Sequence, residues 1–200
     1  ALFGAAPFGT GQVTVDGAPV RLRSPRAAMR AGIAYVSEDR KGEGIVAEQS
    51  VLDNALLAGR AVRPGWVGRA ARTARVRELL AAVELRAAGE DQEIRFLSGG
   101  NQQKVVLARW LALAPRILLF DEPTRGIDVG AKSAIHDLVR RLARDGAAVL
   151  MVSSELPELL GMSDRIIVMR DGRIAGELSA GATEENVLAL AVGTAREAAG

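Results

Sequence analysis

The chain has 200 residues, long enough for one well-buried domain and too short for two ordinary ones. With 48% hydrophobic and 25% charged residues it has the composition of a globular protein, and no apolar run reaches the ~20 residues of a membrane span. The lack of cysteine excludes disulfides, thiol catalysis and Cys-ligated zinc, the single His136 excludes a multi-histidine metal site, and 26 basic against 24 acidic residues give little support to nucleic-acid binding.

The start, ALFGAAPFGTG, has neither an initiator Met nor a basic region and reads as a cut edge, so the chain is expected to be a fragment. GQVTVDGAPVRL alternates apolar and polar residues around Asp16-Gly17, which predicts a hairpin. SPRAAMRAG supplies Ser24 as N-cap, Pro25 in the first turn and Gly32 as a stop, predicting a short helix. IAYV, Ile33 to Val36, reads as a strand, and SEDRKGEG after it as a charged loop.

From Ser50 the pattern turns helical, with Ser50 as cap, apolar residues at Val51, Leu52, Ala55 and Leu56, and an Arg-rich helix over residues 69–83. The intervening RPGWVGR reads as a turn that carries Trp66, a residue equally suited to touching a membrane subunit or covering its own lobe. A helix is expected from Ser98 to Ala114, ended by Pro115. Residues 50–96 contain no convincing strand, and residues 50–114 form the expected helical subdomain of one α/β domain, whose core is residues 1–49 and 115–200.

In RILLFDEPTRGID, the run Ile117 to Phe120 reads as a parallel strand covered on both faces. Asp121 and Glu122 then stand at its carboxyl end, the edge where open α/β sheets bind ligands. A helix capped by Asp128 follows over residues 129–144, then AAVLMV as a second buried strand, a short helix in SSELPELLG, a hairpin on Asp171-Gly172, and a last helix capped by Thr183. Two strands joined by a helix predict a parallel sheet. His136 and Trp110 and Met151 read as structural or half-buried packing.

Two stretches carry chemistry. In FLSGGNQQK, Ser98 caps a helix whose first amides and positive dipole end make an anion site by geometry. Asp121 and Glu122 supply carboxylates of the kind that hold Mg²⁺ beside phosphates and orient an attacking water. LSGGNQQ resembles the signature loop of the ABC ATPases, which contacts the γ-phosphate of a nucleotide held by a partner subunit. That resemblance implies ATP and Mg²⁺ as cofactors, with Ser98, Gly99, Gly100, Asn101 and Gln102 in nucleotide binding, Asp121 as the Walker B metal ligand and Glu122 as catalytic base.

GIDVGAK is similar to the family's D-loop, which gives Asp128 a place across a dimer interface. Glu38, in SEDRKGEG, occupies the position of the Q-loop glutamine and would contact metal or nucleotide; Ser154 occupies that of the switch histidine. These motifs follow the family's order along nearly the whole chain. In detail they resemble the second nucleotide-binding half of the tandem ATPases that power bacterial ribose, xylose and galactoside importers, where the same glutamate and serine occur. The resemblance implies a partner ATPase half, membrane permease subunits, no nucleic acid, and a peripheral position on the cytoplasmic face of the inner membrane. Two other readings compete: a degenerate regulatory half that completes its partner's ATP site without hydrolysing, and an ABC ATPase of DNA repair or translation, which lacks a coiled-coil arm or basic aromatic stretch.

No G-x-x-x-x-G-K-[ST] phosphate loop occurs in the chain; GAAPFGTG places Thr10 and Gly11 where Lys and Ser/Thr belong and leads into a strand. By resemblance, the first strand and the cradle lie upstream of Ala1. These 200 residues alone are therefore expected to bind MgATP weakly or not at all. Calorimetry should give a dissociation constant above roughly 100 μM, about −5.5 kcal/mol, and tighter binding overturns the expectation.

Overall fold

The computed structural model describes residues 1–7, 9–62 and 68–193. Strands β1 (Val13–Val15) and β2 (Ala18–Val20) pair antiparallel, with Val15 opposite Ala18. Asp16 and Gly17 close the turn at φ 51° and 77°, two left-handed residues in succession whose twist matches that of the strands. Helix α1 (Pro25–Arg30) begins where Ser24 Oγ accepts from the Ala27 amide at 3.2 Å, and Gly32 follows its end at φ 80°.

Strands β3 (Ile33–Val36), β4 (Ile117–Asp121) and β5 (Ala148–Val152) form one sheet in the order β3-β4-β5. β3 and β4 run parallel, from Ile33 opposite Ile117 to Val36 opposite Phe120, so Ser37 and Asp121 leave the sheet at the same edge. Helix α5 (Val129–Arg144) links β4 to β5. Leu118 and Phe120 are buried, whereas Ile117 and Leu119 are only half-buried.

The expected second buried strand is not buried. Leu150 is 46% and Val152 56% exposed. β3, the other outer strand of the three, is buried, so position in the sheet does not decide it: an unbroken apolar run shows what a strand is able to bury rather than what is packed on it.

Helices α2 (Val51–Val62), α3 (Arg69–Ala82) and α4 (Gly99–Leu111) make the helical segment. Among its buried apolar side chains lies a polar hub. Asn54 is fully buried and donates from Nδ2 to the carbonyls of Val46, Gln49 and Ser50 at 2.9, 3.2 and 3.0 Å. Its Oδ1 accepts from the Val46 amide at 2.9 Å and from Arg109 Nη2 at 3.2 Å. Arg109, 6% exposed, also donates to the carbonyls of Asn54 (2.8 Å) and Gly44 (2.6 Å). Burial pushes its pKa down to about 10, which leaves it charged at neutral pH.

Two further expectations change. SEDRKGEG is not an open loop: residues Arg40–Gly44 wind into one π-helical turn, because Asp39 Oδ1 accepts from the Gly42 amide at 2.8 Å. The helix expected to reach Ala114 stops at Leu111, and Ala114 turns to φ 48° before Pro115. Trp110 packs edge-on against Phe3 at 5.4 Å, while His136 and Met151 are half-buried. Trp66 lies outside the described residues.

Contacts divide the chain into two compact units, Ala1–Met151 and Val152–Gly200, with the helical segment inside the first. In the second, α6 (Leu156–Met162), β6 (Arg165–Arg170), β7 (Arg173–Ser179) and α7 (Glu184–Val192) surround a core of Ile166, Val168 and Val187. Asp171 and Gly172 repeat the left-handed pair at φ 50° and 73°, and Thr183 shares a capping box with Asn186.

Asn54→Ala would remove the partner of the Val46 amide and of Arg109 Nη2, while the carbonyls of Val46, Gln49 and Ser50 keep the amides of Gln49, Ile94 and residue 54. The expected cost is roughly 3 kcal/mol of unfolding free energy by urea titration, and a loss below about 1 kcal/mol would show the hub to be dispensable.

Candidate functional site

Register brings Tyr35 on β3 beside the end of β4, where its hydroxyl donates to Asp121 Oδ2 at 3.0 Å. Burial raises the phenol's pKa, and the Asp121 carboxylate, which takes its hydrogen bond, adds to the rise. Asp121 is thus held through one oxygen, with Oδ1 left to other partners.

Glu122 adopts φ 49° although it is neither glycine nor followed by a permissive residue: Pro123 comes next and, with Thr124, is buried. A left-handed residue with a Cβ costs on the order of 1 kcal/mol or more, and such strain persists only where the surroundings impose it. Glu38 is drawn into an exposed ion pair with Arg125, three residues beyond Glu122. Pairs of that kind contribute about 0–1 kcal/mol, so a competing charge displaces them readily. Ser37, between Tyr35 and Glu38 on the same edge, donates to Glu43 Oε2 at 2.8 Å.

The second feature is the start of α4. Ser98 Oγ accepts from the Asn101 amide at 3.4 Å and from Asn101 Nδ2 at 3.0 Å, and the first intrahelical bond is Gln102 N to Ser98 O at 2.9 Å. The amides of Gly99 and Gly100 precede that bond and point out of the helix start. Asn101 Oδ1 accepts from the Arg86 amide at 3.0 Å. Gln102, expected as a nucleotide contact, is buried, donating to the Ile94 carbonyl at 3.2 Å and accepting from Arg40 Nε at 3.3 Å. Its position one turn beyond Ser98 places it on the inward face of the helix.

Both glycines are walled in. A Cβ on Gly99 would stand 2.9 Å from Arg40 Nη2 and 3.2 Å from the Gly126 carbonyl, and one on Gly100 would stand 2.6 Å from Ala131 Cβ. Asp128 caps α5 by accepting from the Ala131 amide at 3.0 Å. The structure therefore brings together Ser98, Gly99 and Gly100 with Arg40 and residues 126–131. Ser154, by contrast, belongs to the second unit, exposed in the turn before α6, where its neighbour Ser153 donates to the Glu158 carboxylate.

Among the described residues no group of three or more His, Asp or Glu is placed to hold a metal. The donors present, Asp121 Oδ1 with Glu122 beside it, suit Mg²⁺ in its usual mode, in which one or two carboxylates share the ion with phosphate oxygens. They do not make an all-protein cage.

Residues 1–125 match the family model described as ABC transporter. The chain belongs to the ABC transporter family. Its curated relatives include the ribose import ATP-binding protein RbsA 1 of Rubrobacter xylanophilus, 47% identical over all of this chain and 41% of that protein. The ribose import ATP-binding protein RbsA 2 of Streptomyces coelicolor is 51% identical over 97% of the chain and 38% of the relative. A putative ribose/galactose/methyl galactoside import ATP-binding protein of Agrobacterium fabrum is 46% identical over 96% and 39%. The chain spans about two fifths of the length of these relatives.

Among solved structures, a nucleotide-free ATP-binding cassette from an ABC transporter superimposes with a TM-score of 0.79, 22% identity, and coverage of 94% of this chain and 77% of that one. The dimeric structure of MJ0796, a bacterial ABC transporter cassette, gives 0.75 at 25% identity over 90% and 78%. The fold is the ABC ATPase cassette, α/β with a parallel sheet and flanking helices. ABC cassettes use ATP. No helix among the described residues is long and apolar enough to cross a membrane.

Sequence reading named the carboxylates and the signature glycines but not Tyr35, Arg40, Asn54 or Arg109. The one available signal was Arg109 itself, a charge inside the apolar run VVLARWLALA, two turns from Gln102 on a helix face otherwise set for burial.

The glycine geometry makes a paired prediction. Gly100→Ala must push α4 and α5 apart and should cost roughly 1–3 kcal/mol of stability. Gly130→Ala, inside α5 with its nearest neighbour at 3.5 Å, should be neutral or gain up to about 1 kcal/mol. Equal effects in thermal melts of the two variants would contradict the packing described.

Proposed function

We propose that this chain is the signature-bearing part of one nucleotide-binding half of a tandem ATPase that energises sugar import, the second half in the order of such proteins. The observation that carries the reading is the start of α4. A capped helix N-terminus with two glycines is wedged between Arg40 and the segment behind Asp121 and Glu122, as a surface offered to a phosphate would be. In this reading Ser98, Gly99 and Gly100 contact the γ-phosphate of ATP held by a partner half, and Asp128 reaches across the same interface. Permease subunits and a cytoplasmic-face location follow from the kinship with import ATP-binding proteins.

Asp121 and Glu122 serve the chain's own half. Asp121, oriented by Tyr35, would hold Mg²⁺ through Oδ1, and Glu122 would accept a proton from the attacking water. Bound Mg²⁺ supplies charge neutralisation at the β- and γ-phosphates. These residues need a phosphate cradle to act on, and no phosphate-loop sequence occurs within the 200 residues, so these residues alone are inactive in this proposal.

A second reading draws on Glu38 and Ser154. The Glu38 carboxylate is engaged by Arg125, and a serine stands where the family's histidine senses the γ-phosphate. A half so equipped would complete its partner's site without hydrolysing.

Two substitutions in the full-length tandem protein separate these readings. Ser98→Asp keeps the N-cap while placing a negative charge against the incoming phosphate, and should lower ATP turnover by about 100-fold or more. Intact turnover in that variant would sink the signature assignment. Glu122→Gln should lower turnover by about 10²-fold if this half hydrolyses, and leave it within about twofold if it is regulatory.

A further inference from the structure

The turn at Arg40–Gly44 is fastened to α4 at both of its ends. At the far end, Arg109 Nη1 donates to the Gly44 carbonyl at 2.6 Å; at the near end, Arg40 Nε donates to Gln102 Oε1 at 3.3 Å. Gln102 and Arg109 lie two helical turns apart, hence on one face of α4, and the turn runs along that face. Asn54 locks the deeper staple by accepting from Arg109 and fixing residues 46–50.

Arg40 is half-buried and its hydrogen-bond acceptor is neutral, so its charge is not there to neutralise Gln102. It also stands beside the positive end of a helix dipole, an unfavourable place for a cation unless the surroundings hold it. What that position does achieve is contact: Arg40 Nη2 forms one wall of the space at Gly99, and the Gly126 carbonyl forms another. A planar guanidinium fixed through Nε is a rigid wall, which a lysine of the same charge is not.

We propose that Arg40 is a positioning residue for the Ser98–Gly99 turn, holding it in the geometry that receives a partner's phosphate, with Gln102 and Arg109 fixing Arg40 in turn. The proposal rests on the reading of Ser98–Gly100 as a nucleotide contact. Arg40 acts through the backbone of that turn and is assigned no contact with nucleotide.

The test uses the full-length tandem protein with Arg40→Met, which keeps the stem and removes the guanidinium, and Arg40→Lys, which restores charge without the fork. Hydrogen–deuterium exchange of amides 98–102 reports the turn independently of turnover. In Arg40→Met, exchange there should quicken severalfold while that of β4 is unchanged, and kcat for ATP should fall about tenfold or more with KM little altered, because misplacing a binding group by an ångström costs rates of that order. Arg40→Lys should recover only part of both losses. Wild-type exchange at 98–102 in Arg40→Met overturns the proposal, and so does faster exchange with unchanged kcat. Ser98→Asp, assayed alongside, separates the premises: if it abolishes turnover while Arg40→Met does not affect it, the signature reading stands and the positioning role fails. If Ser98→Asp leaves turnover intact, the signature reading itself has failed, and the role proposed for Arg40 falls with it.

Discussion

A single buried arginine organises the first unit. Arg109 is charged and enclosed, and it meets carbonyl and amide oxygens where a carboxylate would be the simpler partner. Desolvating a guanidinium is costly unless its donors are met, and here three donors are met by Asn54 and Gly44. The arrangement has a geometric consequence: acceptors fixed on backbone cannot move away on a flexible stem, so α2, α4 and the turn after β3 are set relative to one another. A carboxylate partner would have neutralised the charge but left that geometry looser. The Ser98–Gly99 turn at the head of α4 inherits its place from this hub.

The sheet contributes the other half of the site by a different means. Parallel register between β3 and β4 places Tyr35 two residues from the exit of its strand, within reach of Asp121 at the exit of the neighbouring one. Nothing in either strand alone specifies that bond. It arises because Tyr35 stands opposite Leu119, and Asp121, two residues further along β4, lies on the same face within diagonal reach of the hydroxyl.

Local patterns were legible in the sequence wherever one residue decides the backbone. Asp16-Gly17 and Asp171-Gly172 marked both hairpins because those pairs tolerate left-handed dihedrals, and Ser24, Ser98, Asp128 and Thr183 marked helix starts because each side chain satisfies an amide three residues on. What escaped depended on distance along the chain. Arg40 meets Gln102 across 62 residues and Arg109 meets Gly44 across 65, and neither pair has a local signature. The same limit explains β5: its apolar run showed a strand, but whether a layer covers Leu150 and Val152 is a property of the assembly around it. The burial of Gln102 escaped for the opposite reason, since a motif groups residues by sequence while a helix sorts them by face.

Glu122 sets a limit on redesign. Its backbone sits where glycine would rest without strain, just ahead of a buried proline that narrows the choice further. Glycine there would relieve the backbone strain and would also remove the carboxylate. Under the role proposed for Glu122, position 122 is a place where stability and activity pull apart, and where thermostabilising design should leave the residue untouched.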